Sequence, residues 1–281
     1  MAIPDVARQF MEATMGGLPL IGVQISVGAT GRGTLPGSLT RAQLARLCFP
    51  SSMKPPGIEM ESLVVNPGRL VSARLDRRAV CVEFVFAEPG DFVVGARPRP
   101  VLPEFAAFYA STGGAATWGP CLTQGFFVAV GPGGTIIEVQ PGLGVYVQVC
   151  ANGVLGYHPE LAGTGYEIQP VLASAWVRDE SGRYVDPDPP VRIAGAGRYF
   201  PQTGHNVSGP LLTTFQALGG AAVLGYPITE ALTGAPGFTD QYFQHFKLRL
   251  NDATREVTIR PVGREFMAML TANRQAGADF P

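Results

Sequence analysis

The chain is short of lysine, with only Lys54 and Lys247 in 281 residues. It is short of charge altogether: Asp, Glu, Lys and Arg make up 15%, against roughly 25% in an average soluble protein. The other positive charges are arginines scattered along the chain with no longer run than Arg77-Arg78, and the formal net charge is −1. Phosphate backbones and anionic lipid surfaces are held by clustered cations, so nucleic-acid binding is not expected. No apolar run approaches the roughly 18–20 residues of a spanning helix, so no membrane span is expected either. Between Met1 and Phe10, Asp5 comes early and no cationic start leads into an apolar run, so no signal peptide is read there. Disorder would need low hydrophobicity and high net charge, whereas 46% of the residues are hydrophobic.

Cysteine is also scarce. Cys48, Cys81, Cys121 and Cys150 are too widely spaced for the C-x-x-C pairs of zinc or thioredoxin-like sites. Two readings stay open: small buried thiols, or one disulfide each for Cys48 with Cys81 and Cys121 with Cys150. The three histidines, His158, His205 and His245, show no HExxH spacing, and the chain has no G-x-S-x-G elbow. Gly28 to Gly37 lacks a Walker lysine and reads as a flexible loop, while Gly131 to Gly134 precedes a strand and reads as a hairpin turn. Glycoside hydrolysis needs two carboxyl groups about 5–9.5 Å apart. Glu160 with Glu167, or Asp240 with Glu230, are the pairs for such a hydrolase, which is the enzyme alternative to a non-enzymatic protein. No catalytic residue, metal ligand or cofactor is assigned.

Glycine (36) and proline (25) are abundant, together more than a fifth of the chain, and they punctuate it in a pattern. A double glycine, four intervening residues and a third glycine occur at Gly16-Gly17 with Gly22, at Gly113-Gly114 with Gly119, and at Gly219-Gly220 with Gly225. Each pair closes a short amphipathic segment: Val6, Phe10 and Ala13 after Pro4-Asp5; Phe105, Phe108, Tyr109 and Thr112 after Pro103-Glu104; Leu211, Leu212, Phe215 and Leu218 after Ser208 and Pro210. Proline, an acid or a serine suits a helix start, and glycine in the left-handed conformation suits its end. Strand-like runs follow. Tyr146 to Cys150 aligns with Asp240 to Phe243, Gly153 to Tyr157 aligns with Phe246 to Leu250, and Asn152-Gly153 signals a hairpin. The first copy follows with Leu70 to Leu75 and Val80 to Phe84, and the copies close on Phe92 to Pro98, Tyr166 to Pro170 and Val257 to Pro261.

The expected fold is α+β: three divergent tandem repeats, each a short helix ending in Gly-Gly followed by antiparallel hairpin strands. A unit of about 55–70 core residues is marginal alone and gains by packing on its neighbours. The boundaries are residues 1–100 for repeat 1 with an inserted loop region at 28–67, 101–177 for repeat 2, a Pro/Asp linker at 178–197, 198–262 for repeat 3, and a C-terminal helix and tail at 263–281.

Leu224-Gly225-Tyr226-Pro227-Ile228-Thr229-Glu230, with Gln241-Tyr242-Phe243 on the following strand, resembles the LGFP repeat of bacterial cell-envelope and secreted proteins. Phe200-Pro201-Gln202-Thr203-Gly204-His205 is similar to the opening phrase of related tandem repeats in filamentous thermophilic bacteria. Repeat 2 keeps Trp118-Gly119-Pro120 and Tyr157-His158-Pro159-Glu160; repeat 1 keeps only Ile21-Gly22. The resemblance implies attachment to cell-wall or surface polysaccharide and an extracellular or cell-surface location. Aromatic side chains at turns and strand ends are then the ligand-binding candidates, Trp118 and Tyr226 first because they occupy nearby positions in successive copies, with Tyr157 and Tyr242; Trp176 and Tyr199 also stand at such places. Two functions compete. One is a polysaccharide-binding or cell-envelope module; the other is a structural subunit of a surface layer, filament or particle, whose partners are copies of itself or other envelope proteins. Few lysines would leave strand edges open to such contacts.

Overall fold

The computed structural model describes residues 18–25, 43–66, 68–76, 78–86, 90–131, 134–181, 192 and 197–276. They form a mixed α+β protein with six helices and several antiparallel sheets. The expected first helix and the Gly16-Gly17 pair lie outside the described residues.

The described N-terminal residues are mostly strand, with short 3-10 turns at Ser51–Met53 and Met60–Ser62. β1 (Leu18–Ile25), β2 (Gln43–Pro50), β3 (Leu63–Asn66), β4 (Arg69–Asp76), β5 (Ala79–Phe86) and β6 (Gly90–Ala96) make two three-stranded sheets, ordered β1-β6-β3 and β2-β5-β4. The period-2 residues Val80, Val82 and Phe84 on β5 put one apolar face into the core, as alternation along a strand requires. Two expectations change here. Strands β2 and β3 lie inside the stretch expected to be an inserted loop, because Leu63, Val65 and Phe49 have a core to enter. Gly22, expected at a turn, is instead paired with Val93 within β1.

The middle segment runs α1 (Pro103–Ser111), α2 (Gly114–Trp118), β7 (Phe126–Val130), β8 (Ile136–Val139), β9 (Val145–Val149), β10 (Val154–Tyr157), β11 (Ile168–Pro170) and α3 (Ala173–Ser181). Its five strands are ordered β11-β10-β9-β7-β8. The β7–β8 hairpin arises where the glycine-rich turn was expected, closed by Gly131 N donating to Thr135 O at 2.6 Å. The C-terminal segment starts with the two-stranded β12 (Arg198–Phe200) and β13 (His205–Val207). It continues through α4 (Gly209–Ala217), α5 (Ala221–Leu224), β14 (Leu232–Thr233), β15 (Phe238–Tyr242), β16 (Lys247–Asn251) and β17 (Val257–Ile259) to α6 (Val262–Ala276). Its four-stranded sheet is ordered β14-β15-β16-β17.

Both double glycines do more than stop a helix. Gly113 and Gly114 (φ 101° and 54°) and Gly219 and Gly220 (φ 98° and 60°) redirect the chain straight into a second, short helix rather than into a strand. Those helices end at Gly119 (φ 69°, ψ −176°) and Gly225 (φ 78°, ψ 178°), a conformation that side chains disfavour. Ser208 occupies the cap position of α4, but its side chain makes no capping bond. Arg178 to Ser181, expected in the linker, belongs to α3, whose apolar residues Trp176 and Val177 keep it docked on the core.

The middle and C-terminal segments share a hydrogen-bond pattern beyond the glycines. Asn152 N donates to Trp118 O as His245 N does to Leu224 O; Ala151 N donates to Pro120 O as Gln244 N does to Tyr226 O. Cys150 N donates to Gly153 O as Phe243 N does to Phe246 O, and Val171 N to Val154 O as Arg260 N to Lys247 O. Each segment then ends in a helix, α3 or α6, that touches the other segment: Ala175 N donates to Gln244 O, and Arg264 N donates to Ala151 O, both at 3.3 Å. Contacts of this reciprocal form are those of an isologous interface, here within one chain.

Two apolar clusters result. One lies where the middle and C-terminal segments meet, built on Phe105, Trp118 and Leu155 against Phe215, Phe243, Phe246 and Leu248. The other joins the N-terminal strands to Val147, Val149 and Val154 on the opposite face of the middle sheet, with Phe266, Met267 and Leu270 of α6.

Candidate functional site

At the centre of each segment a buried glutamine holds the chain. Gln148 Nε2 donates to Thr123 O (3.0 Å) and Pro100 O (2.8 Å), while its Oε1 accepts from Leu102 N (2.9 Å). Gln241 Nε2 donates likewise to Thr229 O (2.9 Å) and Asn206 O (2.8 Å). Thr123 and Thr229 each accept, through the hydroxyl, from the amide after the glutamine, Val149 and Tyr242. Asn152 Nδ2 and His245 Nδ1 hold matching carbonyls, Thr117 O and Val223 O, both at 3.0 Å. These groups are conspicuous in the sequence, yet they are consumed in positioning loops. Burial, opposed by the bond to Val223, pushes the His245 imidazole below its ordinary value.

The sheet faces away from this shared knot differ. In the middle segment that face is Val147, Val149 and Val154. In the C-terminal segment the corresponding residues are Asp240, Tyr242 and Lys247, with Arg249 beside them. Arg249 grips Asp240 with two bonds (2.6 and 2.7 Å), and Lys247 Nζ lies 3.0 Å from the same carboxylate and 2.9 Å from Tyr242 Oη. Burial raises the cost of charging Asp240, but the bonds from Arg249 and the charge of Lys247 outweigh it and hold the carboxyl below its ordinary value. Burial likewise opposes the Lys247 charge, and Tyr242 with Asp240 reverses it upward.

The predicted ligand aromatics separate. Trp118 is fully buried: its indole meets Phe246 edge to face at 4.9 Å and its Nε1 donates to Thr112 Oγ1 at 2.8 Å, so it has no face to offer. Its counterpart is Leu224, while that of Tyr226 is Pro120, so the two aromatics are not equivalent after all. Tyr226 is half-buried against Phe200 at 6.2 Å. Tyr242 is half-buried under Lys247, 4.4 Å from its ring centroid. Trp176 stacks on Phe266 at 6.0 Å. Tyr157 is half-buried at the edge of the core beside Glu167; desolvation first, then that carboxylate, raises its phenol. In the connection before β11 stands Tyr166, 67% exposed, expected at the start of the closing strand-like run Tyr166 to Pro170, whereas the strand begins only at Ile168.

Three of the four carboxylates paired in the hydrolase reading, Glu160, Glu230 and Asp240, have side-chain partners close by. Glu160 Oε1 accepts from His158 Nδ1 at 2.9 Å; its own backbone amide first, and then His158, hold it below the ordinary range. Glu230 accepts from Asn206 N (2.9 Å) and Nδ2 (3.1 Å), with His205 Nδ1 at 3.5 Å. Among the described residues no three His, Cys, Asp or Glu side chains gather to hold a metal. The cysteines form Cys48–Cys81, directly opposed on β2 and β5, and Cys121–Cys150, which ties the loop after α2 to the end of β9. Pro227 and Phe243 pair at the latter position in the C-terminal segment. A shallow groove of about 550 Å³ beside Cys48, lined by Phe49, Pro50, Asp76 and Arg78, lies apart from the aromatics.

Comparison of the chain with known protein families, with curated proteins and with solved structures returned no match.

Proposed function

We propose that the chain is a non-catalytic, polysaccharide-binding repeat protein of the bacterial cell envelope or exterior. The observation that carries the reading is the shared hydrogen-bond skeleton of residues 100–181 and 206–276, knotted on Gln148 and Gln241. It supports two copies of one unit, the second containing the LGFP-like phrase Leu224 to Glu230. The third expected copy, the N-terminal one, is set aside in this reading, since the described part of residues 18–96 is built of two strand-only sheets. Two disulfides support an oxidising, extracytoplasmic location, where such bonds persist.

Wild-type protein, kept oxidised, should sediment with purified bacterial cell walls and be released by soluble wall glycan. Failure to bind any wall or glycan preparation, by a protein that sediments as a defined oligomer, would overturn this in favour of assembly. That second reading has its own support: Val130 and Leu143 are 65% and 61% exposed at one end of the middle sheet, and Leu75 is 60% exposed on edge strand β4.

A further inference from the structure

We infer that the connection between β10 and β11, residues 158–167, together with Tyr157 and the start of α1, is the carbohydrate-contacting surface, and that it selects glycans without acidic groups. The assignment rests on the polysaccharide-binding reading above.

The matching connection in the C-terminal segment, between β16 and β17, is shorter: the pair Tyr157 and Ile168 corresponds to Leu250 and Val257. The added residues are not needed by the shared skeleton, and they carry chemistry. Tyr166 is exposed but not loosely held. Its amide donates to Thr164 Oγ1 (3.2 Å), its carbonyl accepts from Gln169 Nε2 (2.7 Å), and Thr164 Oγ1 donates in turn to Leu161 O (2.6 Å). A loop backbone held before binding loses little freedom when a ring stacks on the aromatic side chain it carries.

Acceptors lie in the same connection and beside Tyr157. His158 N donates to Glu167 O at 2.8 Å, which sets Glu167 beside His158 and Tyr157, and His158 orients Glu160. The charges felt by the Tyr157 phenol come from Glu167 and Glu104, the latter in the first turn of α1. Carboxylates accept hydrogen bonds from sugar hydroxyls or from protonated amino groups and repel uronates and phosphates. The surface therefore fits a neutral or amine-bearing polysaccharide.

Affinity electrophoresis of the oxidised full chain through gels holding a soluble neutral β-glucan, a chitosan oligomer or a polygalacturonate tests this. Wild type should be retarded by the neutral or the amine-bearing polymer and run freely in polygalacturonate. Tyr166→Ala should lose at least about tenfold in affinity with an unchanged melting temperature, because its ring is exposed. Glu167→Gln should weaken chitosan binding more than β-glucan binding. Retardation of wild type that Tyr166→Ala leaves intact overturns the site while leaving the polysaccharide reading standing. Equal or stronger binding to polygalacturonate overturns the selectivity. Retardation by none of the three, with no binding to cell walls either, overturns both.

Discussion

Trp118 and Phe246 meet edge to face with ring centroids 4.9 Å apart, one from each of the two matching segments. The contact is possible because Gly153, on the hairpin of the middle segment, leaves room: a Cβ there would come within 2.9 Å of the Phe246 ring and 3.1 Å of the indole. The tryptophan that first suggested a ligand platform is thus a keystone between segments. Trp118→Ala should cost about 3–5 kcal/mol in denaturant unfolding, the usual range for a large aromatic removed from a core. Glycan binding at temperatures where the variant is still folded should be unchanged.

The knots on Gln148 and Gln241 make a second, paired prediction. Gln148→Ala leaves Pro100 O, Thr123 O and Leu102 N without their partner inside the protein. Each buried group left unpaired costs about 1–3 kcal/mol, so a loss of roughly 3 kcal/mol or more in urea unfolding is expected. Gln241→Ala should behave similarly, because Asn206 O and Thr229 O lose theirs. An exposed glutamine of similar size such as Gln216 should tolerate alanine with little change, which separates the knot from a generic effect.

Much of this organisation was legible in the sequence, for identifiable reasons. The glycine spacing marked the ends of α1 and α4, though not the short helices α2 and α5 that follow, because the paired glycines and Gly119 and Gly225 need positive φ, and few other residues supply it. The strand alignment was readable because Cys150 and Phe243, and Leu155 and Leu248, are apolar on the same face. What stayed hidden depended on contacts far apart in the chain. The burial of Trp118 is made by Phe246 and the docking of α6 by strands far upstream, and neither partner has a local signature. The strands β2 and β3 were masked by the glycine- and proline-rich stretch around them, and Tyr166 by being read into a strand that begins only at Ile168.

Gly263 shows how closely the segments approach. A Cβ on this residue would stand 1.8 Å from Cys150 O, a backbone atom that cannot swing aside. Its conformation is not the cause, since its φ is not in the left-handed region. Gly263→Ala should therefore destabilise by roughly 2–4 kcal/mol through overpacking, read as a lowered melting temperature. Ser174, the matching residue of α3, already carries a side chain there, and Ser174→Ala should be tolerated.

The disulfides span 33 and 29 residues, and on a chain-entropy estimate each contributes about 3–4 kcal/mol by restricting the unfolded chain. Cys121→Ala with Cys150→Ala should lower the unfolding free energy from denaturant titration by that order. The C-terminal segment holds the matching position with Pro227 and Phe243, so its amide protons should exchange at rates less affected than those of β9 and β10.

The charged face of the C-terminal sheet supplies a prediction with its own internal template. Asp240→Val leaves Lys247 and Arg249 facing each other with no counter-charge in a largely buried site, which should cost about 3–5 kcal/mol. The middle segment shows an apolar solution at the same place, with Val147, Val154 and Gly156. Asp240→Val combined with Lys247→Val and Arg249→Gly should come back to within about 1–2 kcal/mol of wild type, since a buried ion cluster and a packed apolar face are of similar worth. The pH dependence separates the two forms. The Asp240 carboxyl titrates below its ordinary 3.8 in the folded protein, so the unfolded chain takes up the proton first. Its contribution is complete above that ordinary value and is lost as the pH falls through the folded one. Lys247 is shifted the other way, above 10.5, so its contribution is complete below that value and lost as the pH rises through the folded one. Wild type should therefore lose stability below pH 4 more steeply than the triple variant when both are unfolded in urea across the acid range. Parallel curves would mean that the cluster contributes no pH-linked stability.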